Sequence, residues 1–524
     1  MKNFIHQFKG RQFGWLRAAG FGAATTLAIA GISCCGNKTP VAAPCEPPAE
    51  SFPTTTGFQN LTNGFEDQKS FDCDRKSFEE QEEFAKNGLG PVYNHTSCVA
   101  CHQNPITGSA SQISVLRAGY LIDNEFHEPE GGSLIHQRAV ASAIQEATPW
   151  SKDVIPTGAT PVHTRRMATS ILGDGLVEVL DDQQIVDLLA SQPAGLKGYP
   201  VSVPVNVKPE VDAVTGKVVF NTVARLGRFG WKCQEASLIN FSAGAYLNEM
   251  GITNPLNPVE NKSNGRDVAK FDGKIPEPED DTGQGKHLFG SDVEAFARFM
   301  RSTTPPPREP PSNPNEAADI QAGEQIFLRE GMGCAVCHHP SFTTPAGGTV
   351  IHVLRDSSRL ASDLPDSKVP EALGGKVISP YSDFMLHNIG TGDGIAQTQH
   401  AQLPSVGSDK DHYYPISDPV KAKYHIVKVE QKQMMANRRV LIDHHTAPLP
   451  EGLDQKTTNM IRTAPLWGVR TRIELLHDGS AYSIDEAIVR HQSKSEDGRV
   501  NLPGNYNALT PTEKRQLLAF LYSL

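Results

Sequence analysis

The chain has 524 residues, 38% hydrophobic and 7% aromatic, with 45 glycines, 38 prolines and a formal charge of −10. That hydrophobic content fills the cores of two or three ordinary domains and excludes a disordered chain, while the glycines and prolines predict many loops. The negative charge excludes a basic nucleic-acid-binding surface and favours small molecules or basic proteins as partners.

Lys2, Lys9, Arg11 and Arg17 precede a small apolar stretch from Ala18 to Ile32, shorter than the ~20 residues that cross a bilayer. Residues 1–33 therefore read as an export signal. Ala28-Ile29-Ala30 offers an A-x-A cleavage site, whereas Gly31-Ile32-Ser33-Cys34 resembles a lipoprotein lipobox with Gly where Leu is usual. The Pro/Thr-rich tether over 34–64 favours lipidation of Cys34. The expected location is the periplasm or cell envelope, with the membrane touched only through that anchor.

Phe78 to Asn87 is predicted as a leading helix and Gly88-Leu89-Gly90-Pro91 as a turn, followed by Cys98-Val99-Ala100-Cys101-His102. The pentapeptide recurs in the other half of the chain as Cys334-Ala335-Val336-Cys337-His338. Two thiols three positions apart on a tight turn reach the two vinyl groups of one porphyrin, and the next residue brings its imidazole to the iron; this is the attachment signature of a c-type haem. The competing readings are half a zinc ribbon and a dithiol redox pair. Zinc wants its second pair within roughly 15–20 residues, and neither competitor needs the His that closes both pentapeptides. Two covalently bound haems are expected, on Cys98, Cys101, Cys334 and Cys337, with His102 and His338 as iron ligands. Covalent haem attachment takes place outside the cytoplasm, in agreement with export. Cys35, Cys45, Cys73 and Cys233 remain, and a Cys73–Cys233 disulfide would suit an exported protein.

The run Ser302 to Pro314, with Pro305-Pro306-Pro307 and Pro310-Pro311, reads as a linker (302–314) between a first haem domain with an insertion (65–301) and a second haem domain (315–524). Ile320, Gly323 and Phe327 recur at i, i+3, i+7 and lead into Cys334. Thr510-Pro511-Thr512-Glu513 is a capping box with Pro at the first helical position, and Leu517, Leu518 and Leu521 give the terminal helix an apolar face. Arg166 to Gly173 parallels Ile461 to Gly468, which suggests an old duplication. The expected fold is mainly α: two cytochrome c-like haem domains with long loops and insertions.

Ser483-Ile484-Asp485-Glu486 is a second capping box, and Ile484, Ala487, Ile488 and His491 share one helix face. The matching segment of the first half begins near Asp181-Asp182 and places apolar Leu189 where His491 stands. His491 is thus the candidate sixth ligand of the second iron, against a core histidine as the plain reading and His163, His387 and His477 as competing ligands. The first haem, on His102, is the candidate open site. An open iron site that handles protons needs an acid/base group. Glu178, in the apolar stretch Gly175-Leu176-Val177-Glu178, is the candidate, with an ion-paired carboxylate as the competing reading.

Gly88-Leu89-Gly90-Pro91, Gly227-Arg228-Phe229-Gly230-Trp231-Lys232, Ser382-Asp383-Phe384-Met385-Leu386-His387, Thr463-Ala464-Pro465-Leu466-Trp467-Gly468 and Leu476-His477-Asp478-Gly479, in this order, resemble the di-haem oxidoreductase putative-peroxidase family. The family is related to bacterial di-haem cytochrome c peroxidase and the methylamine-utilisation di-haem enzyme, and the resemblance runs from about Phe65 to Leu524. It implies two haem domains facing each other, one haem delivering electrons and the other meeting peroxide. It also implies that the helix bearing His491 supplies the ligand of the electron-transfer haem, where the peroxidases use Met; that Trp231 relays electrons between haems; and that Ca2+ can be bound. The expected activity is reduction of hydrogen peroxide with electrons from a small cytochrome or cupredoxin. Oxygen-dependent oxidation of an organic substrate and a non-enzymatic two-haem electron conduit are the alternatives.

Overall fold

The structure, a computed structural model, describes residues 57–147, 155–211, 218–273, 291–351, 368–398, 441–442, 453–493 and 501–524. The export signal, Cys34, Cys35, Cys45 and most of the tether lie outside them. Eleven α-helices are described: α1 (Gln68–Glu79), α2 (Phe84–Asn87), α3 (Asp174–Glu178), α4 (Asp182–Asp187), α5 (Leu238–Met250), α6 (Ser291–Ser302), α7 (Pro314–Leu328), α8 (Cys334–Cys337), α9 (Ile484–Arg490), α10 (Leu502–Asn507) and α11 (Pro511–Ser523). None is long and apolar enough to cross a membrane.

The expectation of a mainly α fold is overturned, because helix accounts for only 33% and strand for 17%, in several small sheets. In one sheet Ser114–Ile122 pairs antiparallel with Thr160–Met167 along its length, from Ser114 opposite Met167 to Leu121 opposite Thr160, and also with Glu125–His127 and Leu134–Ile135. In another, Ser202–Val211 and Val218–Leu226 form a ribbon with a register shift between Asn206 and Pro209, and Leu441–Ile442 joins its edge. The physical reason stands in the sequence: Val201, Val203 and Val205 recur with a period of two and are all buried, while Pro204 between them is exposed.

The helices pair by sequence half. α1 packs on α6, with Phe71 5.3 Å and Phe78 4.9 Å from Phe299 between ring centres. α7 packs on α11, with Phe327 5.3 Å from Phe520. The Thr510 capping box forms, each partner bonding the other's backbone N–H, and Pro511 takes the first turn. At the α7–α11 crossing the Gly323 backbone lies so close that a Cβ there would fall 2.0 Å from Gln516 O and 2.8 Å from the Phe520 Cβ. Gly323→Ala should therefore force the two helices apart and cost about 1–3 kcal/mol, the usual penalty of overpacking, read as a lowered midpoint in thermal unfolding.

The largest apolar cluster does not respect the two halves of the sequence: Phe71, Leu176, Tyr246 and Phe299 share it with Phe342, Phe384 and Trp467. A second cluster, with Phe327, Met332, Val469, Ile484 and Leu517, surrounds the second pentapeptide. Cys73 is disulfide-bonded, but not to Cys233. Cys233 is a free, fully buried thiol that donates to Phe384 O at 3.2 Å, so the expected Cys73–Cys233 pairing is corrected by their separate placement.

Candidate functional site

Both pentapeptides close helical turns. Cys101 N–H and His102 N–H donate to Cys98 O at 3.1 and 3.2 Å, and His338 N–H donates to Cys334 O at 2.9 Å at the end of α8. Residues i and i+3 of such a turn lie on one side, so each pair of thiols is presented together. One phenylalanine of the leading helix stands beside each closing histidine: Phe78 lies 6.1 Å from His102 and Phe327 6.4 Å from His338 between ring centres. Each also meets its trailing helix through Phe299 or Phe520. This repeated arrangement escapes a search by spacing, because Phe78 and Phe327 stand at different distances from their pentapeptides in the sequence.

A cavity of about 180 Å³ adjoins the second pentapeptide, walled by Phe327, Met332, Val469, Leu475 and Leu521. Cys334, Cys337, His338 and His491 also line it. The rings of His338 and His491 lie 6.4 Å apart between centres at 53°. α9 ends at Arg490 and His491 is its C-cap, with ψ of 113° turning the chain out of the helix. His491 Nδ1–H donates to Ala487 O at 2.7 Å and His338 Nδ1–H to Tyr381 O at 2.8 Å. A carbonyl only accepts, so in both rings Nδ1 carries the proton and Nε2 keeps its lone pair. Burial pushes the His338 imidazole down to about 4 and also lowers that of His491, which keeps both neutral. Neutral imidazoles anchored through Nδ1 are what metal ligation asks for. Two imidazoles bound to one metal from opposite sides by bonds of about 2 Å would put their ring centres about 6 Å apart. The residues therefore fit a haem whose iron lies between His338 and His491.

The competing histidines are placed otherwise. His387 is buried with both nitrogens engaged, Nε2 2.7 Å from Asp383 Oδ2 and Nδ1 3.4 Å from Cys337 Sγ. Burial alone would lower its pKa, but Asp383 and Cys337 raise it well above the ordinary value. His163 is exposed on its strand, opposite Ala118. His477 lines the cavity but stands edge-on to Trp231 at 6.2 Å, its Nε2 3.4 Å from Thr164 Oγ1.

At the first pentapeptide burial pushes the His102 imidazole down to about 4, and its Nδ1 finds no hydrogen-bond partner among the described residues. Among the described residues no imidazole is packed against His102 as His491 is against His338; its aromatic neighbour is Phe78. Among the described residues no group of three or more His, Cys, Asp or Glu gathers as a metal site, so the four-ligand set that a structural zinc needs is not built there.

The acid/base role expected of Glu178 is corrected by its surroundings. Arg301 donates to it twice, at 2.7 Å to Oε2 and 3.0 Å to Oε1, and Leu238 N–H donates to Oε1 at 2.7 Å. Burial alone would raise its pKa, but Arg301 and the Leu238 N–H outweigh burial and hold the carboxyl below its ordinary range. Glu178 is a structural ion pair.

Trp231 is buried, and its indole N–H donates to Met167 O at 2.7 Å. It lines the second cavity and also a smaller hollow whose other wall carries Asn104, Ala110 and Gln112, in the loop that follows His102. Beside it in the chain, Lys232 is buried with Nζ 2.9 Å from Asp393 Oδ1, donating to Thr457 O at 2.7 Å and Met460 O at 2.6 Å. The cation next to Trp231 in the sequence is thus a lysine ammonium. Arg166 shares Asp393 at 2.8 Å.

Residues 160–403 match the family described as "Di-haem oxidoreductase, putative peroxidase". Over these residues, just under half of the chain, it is similar to the di-haem oxidoreductases of that family. The matched stretch holds Glu178, Trp231, the second pentapeptide and His387; the first pentapeptide and His491 lie outside it. Among solved structures the chain is similar to the hydrazine synthase of Kuenenia stuttgartiensis, at 14% identity and a TM-score of 0.30, over 93% of this chain and 100% of that one. It is also similar to a MauG-like protein associated with microbial copper homeostasis, at 14% identity and a TM-score of 0.32, over 87% of this chain and 89% of that one. Likenesses this low carry no argument here. No curated protein matches the chain.

Proposed function

We propose that this peroxidase-like di-haem oxidoreductase is exported, carries two covalent c-type haems, and reduces hydrogen peroxide with electrons from a small cytochrome or cupredoxin. The observation that carries this reading is the inequality of the two histidine sites among the described residues: His338 faces His491, whereas none of the described imidazoles faces His102. A haem at each site supplies a redox-active iron, and a peroxidase needs one iron saturated by side chains for electron transfer and one with an open position for peroxide.

The chain's own residues then divide the work. His338 and His491, each fixed through Nδ1 by a backbone carbonyl, would hold a haem iron through Nε2, and that rigid pair would suit electron transfer. His102 would hold the other haem iron without a second imidazole among the described residues. Trp231 fills the space between the second cavity and the loop after His102, where it shortens the path for an electron and excludes water. Glu178 is committed to Arg301 and moves no proton. Cys34 is proposed as the lipid anchor that keeps the exported enzyme at the envelope. A two-haem conduit would have both irons saturated, which the first site does not favour.

EPR and optical titration of the purified protein, with and without peroxide, tests the reading. One bis-histidine low-spin iron and one high-spin or peroxide-convertible iron are expected, with two haems per chain by pyridine haemochrome. Two low-spin, six-coordinate irons indifferent to peroxide would leave the conduit instead.

A further inference from the structure

The wall of the second cavity carries two positive charges, buried Arg462 and partly exposed Arg472, and no acidic side chain among the described residues. Arg462 and Arg472 line the cavity, and no Asp or Glu does. Arg462 spends only Nε, donating to Gly230 O at 2.7 Å. The Arg472 guanidinium makes no hydrogen bond or ion pair among the described residues; burial, compounded by the neighbouring charge of Arg462, pushes it down to about 10, so it remains charged at neutral pH. The carboxyl that Arg462 feels, Asp174, is itself pushed up to about 7 by burial and forms no ion pair with it among the described residues, so it is a weak counter-charge. His477 adds a third group: it is 3% exposed, lines the same cavity, and, while its Nε2 lies 3.4 Å from Thr164 Oγ1, its Nδ1 has no partner among the described residues.

Charge drawn away from water without a partner is costly, and buried polar groups without acceptors are rare in native proteins. Two guanidiniums and an imidazole lining one apolar cavity suit an anion with two carboxylates. We propose that Arg462, Arg472 and His477 bind the propionates of the haem attached at Cys334 and Cys337, and thereby turn its propionate edge toward Trp231.

This rests on the reading that a covalent haem occupies the second pentapeptide. A porphyrin carries its vinyls and its propionates on different edges, so thiols at one end of the cavity leave the other end for the carboxylates. Guanidinium is the group that pairs carboxylate in two-pronged fashion. Arg472 and Trp231 also line the smaller hollow beyond the cavity, next to the loop that follows His102. The carboxylate edge is then the part of the second haem that looks toward the first pentapeptide.

The test uses full-length, haem-loaded protein and the midpoint potential of the low-spin His338/His491 haem, followed by its own EPR signal in a redox titration. A cation beside the propionates favours the ferrous state, so Arg472→Gln and Arg462→Gln should each lower that potential, Arg472→Lys should restore most of it, and the other haem should not move. Should Arg462→Gln fail to fold, Arg472→Gln with its Lys counterpart decides alone. Two covalent haems with an unmoved second potential, or an equal fall at both haems, would overturn the inference while leaving the peroxidase reading in place. A chain with a single haem in the wild type would refute the peroxidase reading and this inference with it.

Discussion

Replacing His491 by alanine is expected to convert the second iron from a low-spin to a high-spin site while both haems stay attached. The effect is large because among the described residues no other histidine is placed to take over. His387 is tied to Asp383 and Cys337, His163 is exposed on a strand, and His477 stands against Trp231. The haem remains because Cys334, Cys337 and His338 are on a different element, α8 and its end. His491→Met should keep a low-spin iron and raise its potential, since a thioether favours the ferrous state. EPR and a redox titration of the two variants check this. If two low-spin irons with the wild-type potentials persist in His491→Ala, the ligand opposite His338 is another residue, and His477 is the next to replace.

The largest effect on stability is expected from Asp182→Ala. Asp182 is fully buried at the start of α4 and neutralises two buried arginines, accepting from Arg225 Nη2 at 2.9 Å and from Arg228 Nη2, and also from Leu226 N–H at 2.9 Å. Arg228 reaches further to Leu180 O at 2.9 Å, so the cluster ties α4 to the end of the Val218–Leu226 strand beneath Trp231. Removing the carboxylate strands two guanidiniums in the interior, for which about 3–5 kcal/mol is the usual loss. Denaturant unfolding at neutral pH measures it. Burial alone would raise the Asp182 pKa, but the two arginines more than offset it and hold the carboxyl below its ordinary range. A depressed folded pKa means that the stabilisation is present above the unfolded carboxylate pKa of about 3.9 and disappears as the pH falls through the lower folded value. The gap between wild type and variant should therefore be full at neutral pH and close only in strong acid. A gap that stays open there would show that packing, and not charge, is what Asp182 supplies.

Local chemistry was open to reading from the amino-acid order alone. A Cys-x-x-Cys-His turn, a Thr510–Glu513 capping box and a helix stripe ending at His491 are each defined within a few residues, and the backbone of one turn is enough to realise them. The period-two valines at 201, 203 and 205 carried a strand signal of the same local kind, and it bore on the fold class more than the surrounding prolines and glycines suggested.

What depends on partners far along the chain could not be read that way. The apolar run around Glu178 looks like a desolvating pocket until Arg301 arrives from α6. Cys73 and Cys233 are equally plausible partners in a sequence and are kept apart by the fold. Arg472 shows no motif at all; its lack of a counter-charge exists only because the fold closes an apolar cavity around it. The pentapeptides by themselves raised the expectation of covalent haem, because an attachment signature is local. Which iron faces a second histidine, which carboxylate is neutralised and where unpaired charge gathers were decided by tertiary contacts, because burial and electrostatic pairing are properties of the space between elements.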